Sequence, residues 1–236
     1  SDLSIWLSVD PMSDKYPSFS PYVYCANNPI KLVDPNGEEI VIEGNDASEA
    51  LKQLNSSTNL TLEFGSDGKT VRIAGGKAKN RADRLIQRAI ADNDIVVNIE
   101  AKKENSFEWH DGQILPTEGG GGYGGNNVAE GVVNTYQKVV PSMLDDRDRL
   151  VDGESSGKYM LHEVAESYIG GKIAKRTGVS SPRAGLLNST YDRAHKKANK
   201  IAGGEFIIYN NYETIRNSHG EPIINPQTGK VMLKFL

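Results

Sequence analysis

The stretch Leu161-His162-Glu163-Val164-Ala165-Glu166-Ser167-Tyr168 constrains this chain more than any other. Leu161, Val164, Ala165, Tyr168 and Ile169 recur at three- and four-residue spacing, the period of a helix with one buried stripe. A helix over residues 158–175 is therefore expected. On it His162 and Glu166 project from one face, one turn apart. An imidazole and a carboxylate so placed reach a single metal ion. Glu163, beside the first ligand, is positioned to hold a water against that ion. These are the mechanics of the His-Glu-x-x-His metal helix, with Glu166 in place of the second histidine. The competing reading makes His162, Glu163 and Glu166 polar surface or a helical salt-bridge set.

A third ligand has few sources. The chain contains four histidines, His110, His162, His195 and His219, and one cysteine, Cys25. An internal disulfide framework and a cysteine-rich metal site are both excluded. His195 falls near the middle of a second expected helix, capped at Ser189-Thr190-Tyr191-Asp192 and running to Ile201. Two histidines and one carboxylate make a His₂Glu set with the fourth position left for water. If zinc occupies it, Glu163 acts as general base on the water. Tyr191 or Tyr168 would stabilise the oxyanion, and Asp192 is a candidate to orient a histidine ligand. Ligands from one helix completed by a later helix resemble the gluzincin arrangement of zinc peptidases, with the Glu and His positions exchanged. In the competing reading His195 is a surface histidine among lysines.

The rest of the chain supplies strands and further helices. Glu39–Glu43 reads as a strand, and Asn45-Asp46 caps a short helix to about Leu54. Residues 60–64 and 70–73 alternate around Ser66-Asp67-Gly68-Lys69, a hairpin signal. Asn80–Ala91 is an amphipathic helix with Leu85, Ile86, Ala89 and Ile90 inward, and Ile95–Ile99 a central strand. Further strands are expected at 132–136, 205–209 and 231–235, with a turn at 227–230. The run Glu118–Gly125 lacks the Lys-Ser/Thr of a phosphate loop, so a nucleotide site is rejected. A flexible loop or a mobile flap over a cleft is expected instead. His110 reads as a turn residue, and Asp145-Asp146-Arg147-Asp148 as a solvated acidic loop. The fold class that follows is α+β: a mixed or antiparallel sheet with the metal-site helices packed on it.

Residues 1–37 differ in kind. They hold Pro11, Pro17, Pro21, Pro29 and Pro35, with Tyr16, Phe19, Tyr22 and Tyr24 between turn formers. The elements Trp6–Met12, Tyr22-Val23-Tyr24-Cys25-Ala26-Asn27-Asn28-Pro29 and Val33-Asp34-Pro35-Asn36-Gly37 resemble, in order and spacing, the end of the core domain of Rhs (rearrangement hotspot) repeat proteins. That resemblance implies an extended Rhs-core tail over 1–37, followed by a toxin domain over 38–236. It also implies an aspartyl-type autoproteolysis in which Asp10 and Asp34 match the acids, with Pro35 and Gly37 in the motif and the cut after Gly37. Glu38 stands where the family usually has leucine. Without the rest of the core cocoon, the chain is not expected to cleave itself.

The expected function is that of the C-terminal toxin of an Rhs-type antibacterial effector, acting as a zinc peptidase on a protein substrate. A nuclease is the alternative, with His162 and His195 as acid and base and Lys172, Arg176, Arg193, Lys196, Lys197 and Lys200 on phosphate. A non-enzymatic binding domain is the third reading. The net charge of −4 gives no global drive toward nucleic acid or an anionic membrane. No apolar run approaches a membrane span, and no signal peptide is seen. The resemblance implies a secreted effector delivered into a target cell, the remainder of the cocoon as a partner, and a cognate immunity protein.

Overall fold

In the computed structural model the described residues are 40–202, with the backbone of 212–214 and 233–235. The Rhs-like elements, including Asp10, Asp34, Pro35 and Gly37, lie outside them, as do the expected strand at 205–209 and turn at 227–230.

The elements follow in order: β1 (Ile40–Glu43), α1 (Ala47–Ser56), β2 (Leu60–Phe64), β3 (Thr70–Gly76), α2 (Arg81–Ile90), β4 (Ile95–Ala101), β5 (Phe107–Glu108), β6 (Ile114–Leu115), β7 (Gly121–Ala129), β8 (Val132–Val139), α3 (Pro141–Asp152), α4 (Lys158–Thr177) and α5 (Tyr191–Ala202). Short strands β9 (Tyr212–Thr214) and β10 (Leu233–Phe235) pair antiparallel. The fold is α+β. Its main sheet runs β2-β3-β1-β4-β8-β7. β1, β4 and β8 are parallel, while the β2–β3 hairpin and β7 join antiparallel. β4 lies inside the sheet, where its run of β-branched residues packs well.

Period-2 alternation decides which sheet face is covered. Ile95, Val97, Ile99 and Ala101 of β4 are buried, as are Val133, Thr135, Gln137 and Val139 of β8. The intervening Val96, Asn98, Asn134 and Tyr136 are half-buried on the other face. On the covered side α4 crosses β4, β7 and β8 and also touches α1, α2, α3 and α5. Every residue from Tyr159 to Gly171 is buried, so α4 is a central helix rather than an amphipathic surface one. Gly170 lets it lie close, since a Cβ there would come 2.2 Å from the Tyr123 hydroxyl. Among the described residues no helix is long and apolar enough to cross a membrane.

α2 starts on a reciprocal cap: Asn80 Oδ1 accepts from Asp83 N at 2.8 Å, and Asp83 accepts from Asn80 N at 3.1 Å. Two expectations are corrected. Residues 145–148 are not a solvated loop but the middle of α3, which Pro141 opens at its first turn. Asp148 is fully buried and accepts from Tyr159 N at 3.2 Å and Ser156 Oγ at 3.1 Å, joining α3 to the start of α4. The glycine run is not a flexible loop from Gly121 on, although Gly119 and Gly120 form a turn. Gly121–Ala129 is strand β7, in register with β8 apart from a bulge between Tyr123 and Gly125.

Candidate metal and catalytic site

The three expected ligands converge. His162 Nε2 stands 3.1 Å from His195 Nδ1 and 3.4 Å from Glu166 Oε2, and His195 Nδ1 stands 2.6 Å from the same carboxylate oxygen. The helix-surface reading of α4 is overturned by burial: His162 and Glu166 are each 2% exposed and Glu163 6%. Burying ionisable groups costs several kcal/mol each unless they are mutually satisfied or hold a cation. The apolar load of α4, with Met160, Leu161, Val164, Tyr168 and Ile173 all buried, offsets that at roughly 1.5–3 kcal/mol per large side chain.

The geometry fits a metal ion. Two imidazole nitrogens and a carboxylate oxygen lie within 4.8 Å of one another. Ligand atoms around a tetrahedral ion with bonds of about 2.0–2.1 Å stand roughly 3.3 Å apart. The separations of 3.1 and 3.4 Å match this, and the 2.6 Å one is shorter. His162, Glu166 and His195 could therefore hold a metal ion. His195 comes from α5, packed on α4, and the Tyr191 ring lies 5.0 Å from its ring.

Glu163 occupies the position beside the ligands that the helix spacing predicts. Its carboxylate accepts from Gln137 Nε2, and the same nitrogen lies 3.3 Å from Glu166 Oε1. Gln137 thus ties both carboxylates to β8. Burial, then the charge of Glu166, push the Glu163 carboxyl up to about 8. Burial also works to raise Glu166, but the two imidazoles outweigh it and hold it below the usual carboxylate range. Desolvation, opposed by Glu166, lowers His162. Gly121 of β7 faces Glu163 so closely that a Cβ would fall 2.1 Å from its Oε1.

These groups open into a cavity of about 690 Å³. Trp109, Leu115 and the 183–185 segment also line it, and Arg183 donates to Asp111 Oδ2 at 2.9 Å and Gln113 Oε1 at 3.0 Å and lies over Trp109. Tyr191 lines the cavity, and its hydroxyl is raised by burial, then by Glu166. Tyr168 is not available to an oxyanion. Its hydroxyl donates to Asp92 Oδ2 at 2.7 Å, and that bond joins burial in raising it. Asp192 is exposed on α5. His110 sits in a turn, its ring 4.2 Å from that of Tyr136. The cations assigned to phosphate in the nuclease reading, Lys172, Arg176, Arg193, Lys196, Lys197 and Lys200, are exposed, and none lines this cavity.

Two participants escape a motif search. Gln137 is marked only by its inward place in the alternation of β8. The Tyr123 hydroxyl accepts from Asn126 Nδ2 and shares a bond with Thr190 Oγ1, both at 2.9 Å. That bond ties β7 to the residue just before α5, which carries His195. The chain matches no family model, no curated protein and no solved structure.

Proposed function

We propose that the described domain is a zinc-dependent peptidase and, from the Rhs-like elements ahead of it, the toxin portion of an Rhs-type effector. The peptidase reading is carried by one observation: Glu163 lies buried beside a His162–Glu166–His195 cluster, and both face a cavity large enough for a peptide segment. His162, Glu166 and His195 would hold the ion. A zinc ion held there supplies an acidified water and a polarised substrate carbonyl. Glu163 would serve as the base toward the attacking water and pass its proton to the leaving amine, the charge of the ion favouring the carboxylate form that burial and Glu166 disfavour. Gln137 keeps that carboxylate aimed at the cavity, and Tyr191 is the hydroxyl closest in role to an oxyanion donor. A cocoon remainder and an immunity protein covering the cleft are the partners this reading requires.

Incubation of the purified chain with an unfolded protein, with and without added zinc, tests it. Zinc-dependent fragments seen by mass spectrometry, abolished by Glu163→Gln, are expected. An intact protein substrate, together with degraded RNA or DNA, would favour the nuclease instead.

A further inference from the structure

The cavity carries two arginines in different states. Arg183 is held by Asp111 and Gln113. Arg147, from α3, forms no ion pair among the described residues, and its charge acts on Glu163 and His162. Among the described residues the arginines in ion pairs are Arg72, Arg149 and Arg183. Arg147 nevertheless lines the cavity with His162 and Glu163. Its guanidinium lies over the buried Tyr159 ring, 5.4 Å from the centroid. On another side it meets the turn ahead of β7, where a Cβ at Gly119 would come 2.3 Å from Cζ. Gly119, at φ 65°, takes a left-handed conformation and leaves room for the guanidinium.

A guanidinium placed against a ring and a backbone turn can bind a carboxylate bidentately. Its cation–π contact with Tyr159 adds to the positioning. We propose that Arg147 is a specificity-determining residue that binds a carboxylate of the substrate near the cut. The carboxylate comes either from an Asp or Glu side chain or from the C-terminus of a peptide. This rests on the peptidase reading and goes beyond it by naming what the enzyme selects.

The test is digestion of a proteome-derived peptide library by the zinc-loaded chain, with cut sites mapped by mass spectrometry. An Asp or Glu enriched at one fixed position from the cut identifies a side-chain carboxylate. Trimming confined to C-terminal ends, and lost on C-terminally amidated peptides, identifies the α-carboxylate. In Arg147→Gln the ratio of kcat/KM for carboxylate-bearing over amide-bearing peptides falls about tenfold to hundredfold. Arg147→Glu shifts the preference toward Lys or Arg at the same position. Zinc content and circular dichroism matching the wild type verify that both variants are folded. Wild-type cutting without a carboxylate preference, or the same preference in Arg147→Gln, overturns the assignment and leaves the peptidase reading standing. Absence of any cutting by the wild type removes both.

Discussion

Gly121 and Glu163 occupy each other's space: a Cβ on Gly121 would lie 2.1 Å from Glu163 Oε1 and 2.2 Å from Cδ. The edge strand therefore forms one wall of the carboxylate's position. Gly121→Ala must push Glu163 aside, while none of the three candidate ligands is among the nearest atoms to the added Cβ. Cleavage activity is expected to fall at least about a hundredfold, with zinc content retained and a stability loss of about 1–3 kcal/mol. Activity, zinc content and a urea melt on the same preparation check this.

Gln137 is 1% exposed, and its Nε2 lies within bonding reach of both Glu163 and Glu166. Gln137→Leu keeps the volume but removes the donor. Zinc affinity, measured by competition with a chromophoric chelator, should fall about tenfold to hundredfold. The fold should lose about 1–3 kcal/mol.

Asp83 serves stability rather than the site. It is fully buried and accepts from Thr58 Oγ1, the backbone and side chain of Asn59, Lys79 N and Asn80 N. Desolvation works to raise its carboxyl, but these bonds outweigh it and hold it well below the usual range. A depressed folded-state pKa adds stability above the unfolded value of about 3.9 and loses it as pH falls further. Asp83→Asn should cost about 2–4 kcal/mol near pH 7. Its deficit against wild type should shrink as pH drops below about 4. Urea titrations at both pH values supply the numbers.

Metal removal should destabilise the chain. An ion that binds only the folded state at a hundredfold excess over its Kd adds about 2.7 kcal/mol, or roughly 5–10 °C in Tm for a domain of this size. A chelator is expected to lower the wild-type Tm by that amount and to leave His195→Ala unmoved, by calorimetry.

How much the sequence disclosed depends on the residue. The period of Leu161, Val164, Ala165 and Tyr168 reveals α4, and the four-residue step from His162 to Glu166 reveals the site, because both rules are local. The apolar run Ile95–Ile99 likewise reveals β4. Gly121–Gly125 conceals β7: glycine carries no side chain to show a strand period, and it is there because Glu163 leaves no room for a Cβ. Asp148 conceals α3, since an aspartate reads as surface until Tyr159 N and Ser156 Oγ are brought to it. Gln137 was within reach, being third in the inward series Val133, Thr135, Gln137, Val139, but its purpose depends on a helix that follows it in sequence.

Metal content is the most direct measure of the central claim. The purified chain, supplied with zinc and desalted, should carry one equivalent by elemental analysis. His162→Ala, Glu166→Gln and His195→Ala should each lose it, while Glu163→Gln should keep it. A wild type that binds no zinc, or triad variants that bind as much as the wild type, would contradict the account.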